Sequence, residues 1–185
     1  MAAADPTDAQ AQRDLSVSFE RLGDVQLQSG QVTEALRSYE KGLEISQKLA
    51  AEDPTDAQAQ RDLSISFSKL GDVQLQSGQV TEALRSYEKG LEISQKLAAA
   101  DPTDAHSQRD LWVSYYNLGE AERAGKRFEK AIGWYEKAVE KVKAMQEAGR
   151  LAPSDKYMLE IDKYMLKILE ERIAECRKLQ EGAKE

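Results

Sequence analysis

The sequence predicts an all-α chain, a right-handed α-solenoid of three antiparallel helix hairpins closed by one long terminal helix. Three observations carry that expectation. A 48-residue unit opens three times with "DPTDA", at Asp5, Asp53 and Asp101, and repetition on that scale marks a stack of small supersecondary units. Apolar residues recur at helical spacing and nowhere with the period-two alternation of a half-buried strand. Four prolines and 6% aromatic residues suit helices.

The repeats are expected over 5–52, 53–100 and 101–150 of a single domain spanning 1–185, with a capping helix over 154–180. Repeats one and two differ only at Val17/Ile65, Glu20/Ser68, Arg21/Lys69 and Glu52/Ala100. The third begins "DPTDAHSQRDLWVSYYNLGEA" and then diverges.

Each unit reads as a hairpin of a helix A and a helix B. In the first, Thr7 and Gln10 are placed to form a capping box, the hydroxyl taking an orphan backbone N–H. Leu15, Phe19, Leu22 and Gln26 then give helix A one inward stripe. "QSGQ" stops it, with Gly30 suited to the left-handed residue after a helix end. Helix B carries Ala35, Leu36, Tyr39, Gly42, Leu43, Ser46 and Leu49 along one side, and Asp53-Pro54 ends it. Gly23 and Gly42 lie inside helices, where glycine costs roughly 1 kcal/mol against alanine. Close approach of helix A to helix B is the compensating gain.

The pattern Phe19-x-x-Leu22-Gly23-x-x-Gln26, then Ala35-x-x-x-Tyr39 and Gly42, resembles the tetratricopeptide repeat. Tyr115, Leu118, Gly119, Ala131, Tyr135 and Ala138 match it in the third unit. Two features depart from that family: the second aromatic of helix A is Gln26, Gln74 and Glu122, and the proline that usually ends helix B is missing. The usual unit has about 34 residues, so this one has roughly four extra helical turns. Shared between the two helices, they leave both faces in phase. The variant resembles the long repeats of some bacterial proteins and of kinesin light chains.

The resemblance implies a concave wall made by the A helices, on which a peptide lies. Carried over by position, the wall is Val17, Glu20, Arg21, Asp24, Leu27 and Gln28 in unit one. In unit two it is Ile65, Ser68, Lys69, Asp72, Leu75 and Gln76. Unit three supplies Val113, Tyr116, Asn117, Glu120, Arg123 and Ala124. Three of the four differences between units one and two fall on this wall. Asp24, Asp72 and Glu120 form an acidic row, which disfavours a clamp for a terminal carboxylate. The expected partner is an extended or helical peptide with basic residues for the row and apolar ones for Val17, Ile65 and Val113. The bland alternative pairs these acids with Arg21 and Lys69.

The C-terminal end looks covered. From about Ser154 a helix is expected with Met158, Ile161, Met165, Ile168, Leu169, Ile173 and Cys176 on one side, and Trp112, Tyr115, Phe128, Trp134 and Tyr135 thicken the last core. Eight of the twelve aromatics lie after residue 100, as a specialised terminal unit requires. Unit one has no such cover, so its leading face is expected to be bare and to favour self-association into a homo-oligomer. A repeat buries its apolar face only against a neighbour.

Catalysis has little footing. His106 is the sole histidine and Cys176 the sole cysteine, so neither a triad nor a zinc site can be assembled. No metal and no cofactor is expected. Residues 1–100 carry 16 Asp/Glu against 10 Lys/Arg, a surface that repels phosphate backbones. No apolar run reaches the length of a membrane span. The expectation is therefore a non-enzymatic, cytoplasmic protein- or peptide-binding scaffold with neither nucleic-acid nor membrane partners. The rival is an engineered or consensus-based repeat protein, a self-assembly module without a native ligand.

Overall fold

The computed structural model describes residues 8–147 and 156–182, with side chains throughout except at 156–163. All the regular structure of these residues is helical. The helices are α1 (Ala9–Gln28), α2 (Val32–Glu52), α3 (Ala57–Gln76), α4 (Val80–Ala100), α5 (Ala105–Ala124), α6 (Phe128–Glu147) and α7 (Lys156–Gly182). Loops containing Asp53 and Asp101 separate α2 from α3 and α4 from α5. Packing divides the chain into two compact units, Met1–Ile93 and Ser94–Glu185, with the division inside α4.

Helices α1, α3 and α5 each start at an aspartate cap, other than the threonine expected. Thr7 lies outside the described residues, but its equivalent Thr55 is not the cap. Asp56 precedes α3 with extended backbone, and its carboxylate accepts the N–H groups of Gln58 and Ala59. Asp8 does the same for Gln10 before α1. Thr55 instead donates its N–H and its hydroxyl to Asp53, at 2.9 and 2.7 Å. A carboxylate outcompetes a hydroxyl for orphan amides because it carries full charge at the positive end of the helix dipole. The amide of Gln58 reaches forward to Asp62, at 2.8 Å, rather than back.

Helix α1 ends as the glycine predicts. Gly30 adopts φ 74°, and its N–H bonds Leu27 O at 3.0 Å while that of Gln31 bonds Gln26 O at 2.8 Å. Those two bonds satisfy orphan carbonyls of the last turn. The third hairpin makes the same turn with its glycine one place early. Gly125 has φ −75° and Lys126 takes the left-handed place at φ 58°, which costs roughly 1–2 kcal/mol for a side chain with Cβ.

In the first unit α1 and α2 close on each other through small residues. Ser16 Oγ donates to Gly42 O at 3.0 Å and lies 2.8 Å from Ser46 Oγ. A Cβ on Gly23 would stand 2.7 Å from the ring of Tyr39, so glycine is required for the aromatic to lie on bare backbone. Ala35, Tyr39, Leu43, Phe67, Leu70 and Val73 form the core here, joining α2 to α3. The expected inward stripe of α1 is corrected by this arrangement. Leu15 and Leu22 stay 45% and 46% exposed, because the side turned to α2 is that of Ser16 and Gly23. The Leu15–Leu22 side is the face between repeats, and α1 has no described helix in front of it.

The second unit uses larger residues at the same positions. Trp112, Ala138 and Val142 stand where the first hairpin has Ser16, Gly42 and Ser46, and all three are buried. Tyr115 stacks on Trp134 with centroids 5.9 Å apart. Helix α7 covers α6 through Leu169, Ile173 and Cys176, which are 0%, 8% and 0% exposed. The beginning expected for this helix, Ser154, lies outside the described residues, and so do the side chains of Met158 and Ile161.

Candidate functional site

The A helices α1, α3 and α5 carry one motif that sequence reading missed. Tyr39 donates its hydroxyl to Asp24, Tyr87 to Asp72 and Tyr135 to Glu120, each at 2.7 Å. The tyrosine comes from helix B, crosses the glycine of helix A at Gly23, Gly71 or Gly119, and meets the acid on the far side. Spacing held the signal, since acid and tyrosine are fifteen residues apart three times over.

The three acids differ in what else they meet. Asp24 receives Lys69 Nζ at 2.7 Å, across from α3 to α1. Burial raises its carboxyl, but the bonds from Lys69 and Tyr39 outweigh that and hold it below the usual range. Glu120 is paired with Arg123 at 2.8 Å and with Arg172 of α7 at 3.0 Å. Burial raises Glu120 as well, and the two arginines with Tyr135 bring it below its ordinary value. Asp72 has the tyrosine alone, and among the described residues it forms no ion pair. Its carboxyl is raised, because neighbouring protein strips part of its hydration and the Tyr87 bond does not make up the loss. Its outer edge remains exposed.

Of the remaining wall positions, Glu20 accepts from Ser66 Oγ at 2.6 Å, and burial pushes its carboxyl up against that bond. Val17, Glu20 and Ile65 line a hollow of about 130 Å³ together with Ser16, Ser46 and the Arg13–Asp62 ion pair. Arg21, Gln28 and Gln76 are exposed, Leu27 and Leu75 half-buried. Ser68 turns its hydroxyl back to Ser64 O at 3.1 Å. In the compact unit Ser94–Glu185, Val113 and Tyr116 pack against the core, and Asn117 is half-buried. The compact unit Met1–Ile93 thus brings Val17, Glu20, Asp24, Ile65 and Lys69 to one surface. The compact unit Ser94–Glu185 engages Tyr116, Glu120 and Arg123 with its own terminal helix.

His106 is exposed at the start of α5, and Cys176 is a buried free thiol. Among the described residues no three His, Cys, Asp or Glu side chains are grouped to hold a metal ion. No helix among them is long and apolar enough to cross a membrane.

Comparison with known proteins follows the repeats. Family models described as tetratricopeptide repeat match residues 18–49 and 66–97 in one form and 114–149 in another. No curated protein sequence matches the chain. Among solved structures, the yeast histone chaperone Hif1, described as a scaffold protein recruiting protein complexes to core histones, superposes with a TM-score of 0.56 at 15% identity. The match covers 75% of this chain and 55% of the chaperone, so the chain spans about half of that protein's length. The de novo designed helical repeat protein DHR64 gives 0.39 at 14% identity over 94% and 96% of the two chains. The MamA protein gives 0.33 at 16% identity over 91% and 93%. At 15% identity the likeness to the chaperone is one of fold.

Proposed function

Because the chain belongs to the tetratricopeptide-repeat family, we propose that it is a non-enzymatic scaffold binding a protein or peptide along the exposed face of its A helices. The hollow beside Val17 and Ile65 carries this reading. It has an apolar floor at Val17, Leu49 and Ile65 and an acidic edge at Glu20 and Asp62, the composition that suits a peptide mixing aliphatic and basic residues. Helix lengths support the long form of the repeat, as α1 to α6 have 20 or 21 residues each. Peptides selected from a displayed library should bind the chain and lose about tenfold in affinity on Val17→Asp or Ile65→Asp, through an unpaired charge in the hollow. Selected peptides indifferent to both substitutions would refute this face.

A second reading, self-association, is favoured by the bare leading face of α1, where Leu15, Leu22 and Val25 stand together and exposed. Sedimentation equilibrium of the chain should show a concentration-dependent rise in mass, removed by the pair Leu22→Glu and Val25→Glu. A monomer at every concentration would exclude it.

A further inference from the structure

The chain shows, in its own later repeats, what the leading side of an A helix holds. We propose that the groove on the leading side of α1 and α2 is a docking site for an amphipathic helix of another polypeptide, one that carries the covering side of α2. The site lies on a different side of α1 from the hollow at Val17 and Ile65, so it does not rest on the peptide-binding reading. The groove holds about 540 Å³ and is lined by Gln12 and Phe19 of α1 and by Lys41, Ile45 and Lys48 of α2. Leu15 and Leu22 flank Phe19 on one helical stripe, and with Val25 they are 45%, 46% and 59% exposed. Ser18, on the same side, turns its hydroxyl back to Asp14 O.

One repeat later the copy of this groove is filled. Leu63, Phe67, Leu70 and Val73 of α3 and Ile93 of α4 share one core with Val32, Leu36, Tyr39 and Leu43 of α2. Two polar contacts set the register: Gln60 Nε2 donates to Ala50 O at 3.0 Å, and Ser66 Oγ lies 3.0 Å from Ser46 Oγ. Both return inside the compact unit Ser94–Glu185, where Gln108 Nε2 donates to Ala98 O at 2.8 Å and Ser114 Oγ to Ser94 Oγ at 3.2 Å. Gln12 and Ser18 hold these places in α1, so the same recognition chemistry stands ready there. Its complement is a helix with leucines at the places of Leu36 and Leu43, small residues at those of Ser46 and Ala50, and a last turn whose carbonyl meets a side-chain amide. A second copy brings no such helix, because its α2 is spent on α3, its α4 is held by Gln108 and Ser114, and its α6 lies under α7.

The test is an NMR titration of the ¹⁵N-labelled full chain with a terminally blocked peptide of the sequence of residues 32–52, which offers the α2 face unengaged. Amide shifts should be largest at Leu15, Phe19, Leu22 and Ile45. Leu36→Asp with Leu43→Asp in the peptide should weaken binding at least about tenfold, through charge carried into an apolar groove. These changes leave the chain itself intact, so its folding does not enter. In the chain, Leu22→Glu should have a similar effect, while Val17→Asp leaves binding within about twofold. Shifts centred on Phe67, Leu70 and Val73 would mean that the peptide displaces α2 from its own place, and would overturn the proposal. Equal binding by a peptide of the same composition in scrambled order, or no response on α1, would overturn it too. Shifts at Leu15 and Leu22 that follow chain concentration and ignore the peptide would give the face to a second copy and refute the docked helix.

Discussion

Helices α1 and α3 have nearly the same sequence and opposite fates. Leu22 and Val25 on α1 are 46% and 59% exposed, whereas Leu70 and Val73, their copies on α3, are 9% and 0% exposed. Nothing in the side chains accounts for this. Helix α2 lies in front of α3, and nothing described lies in front of α1. Burial here belongs to the place in the row, and the same leucine is core or surface according to its neighbour. Fully burying one such side chain contributes about 1.5–3 kcal/mol, so the stability of a hairpin resides largely in the contact with the next.

The sharpest way to break this comparison is to truncate both copies. Leu70→Ala should destabilise the chain by about 3 kcal/mol, and Leu22→Ala by less than about 1 kcal/mol, in urea unfolding followed by circular dichroism. Equal losses would mean that α1 is covered in solution.

A smaller difference is expected at the hydroxyls. Ser66 donates to Glu20 and contacts Ser46 at 3.0 Å in a buried position, whereas Ser18, its copy, turns back to Asp14 O on its own helix. Ser66→Ala should cost about 1 kcal/mol, and Ser18→Ala close to nothing by the same measurement.

The smallest effect separates Asp24 from Asp72 by pH. Asp24 titrates lower folded than unfolded, so its contribution is present above its unfolded value near 3.8 and is lost as pH falls through the folded value. Asp24→Asn should flatten the acid limb of the stability profile slightly, by no more than about 1 kcal/mol for so exposed a pair. Asp72 titrates higher when folded, so its charge opposes folding at neutral pH. Asp72→Asn should leave stability at pH 7 unchanged or slightly raised. A loss at Asp72 as large as that at Asp24 would show a cation bound there by the chain itself.

Local chemistry was legible where it depends on neighbours in the chain. The hairpins, the break at Gly30, the aromatic thickening of the last repeat and the apolar side of α7 follow from spacing alone. The N-cap was misread because "DPTD" offers two acids around one threonine, and only geometry tells which carboxylate faces the helix amides. The stripe of α1 was assigned to the wrong neighbour because an apolar pattern tells which side needs cover and not which helix provides it. Arg172 on Glu120 had no signal at all, since 52 residues separate them and the arginine lies on a helix outside the repeat register. Lys126 at positive φ was equally hidden, because Gly125 beside it looked like the natural choice.

The tyrosines on bare glycine backbone have a consequence for alkaline solution. Burial first, and the acid's charge with it, raise the phenols of Tyr39 and Tyr135 far above their ordinary value. Tyrosinate absorbance should therefore find these two rings still protonated at a pH where an ordinary tyrosine has ionised.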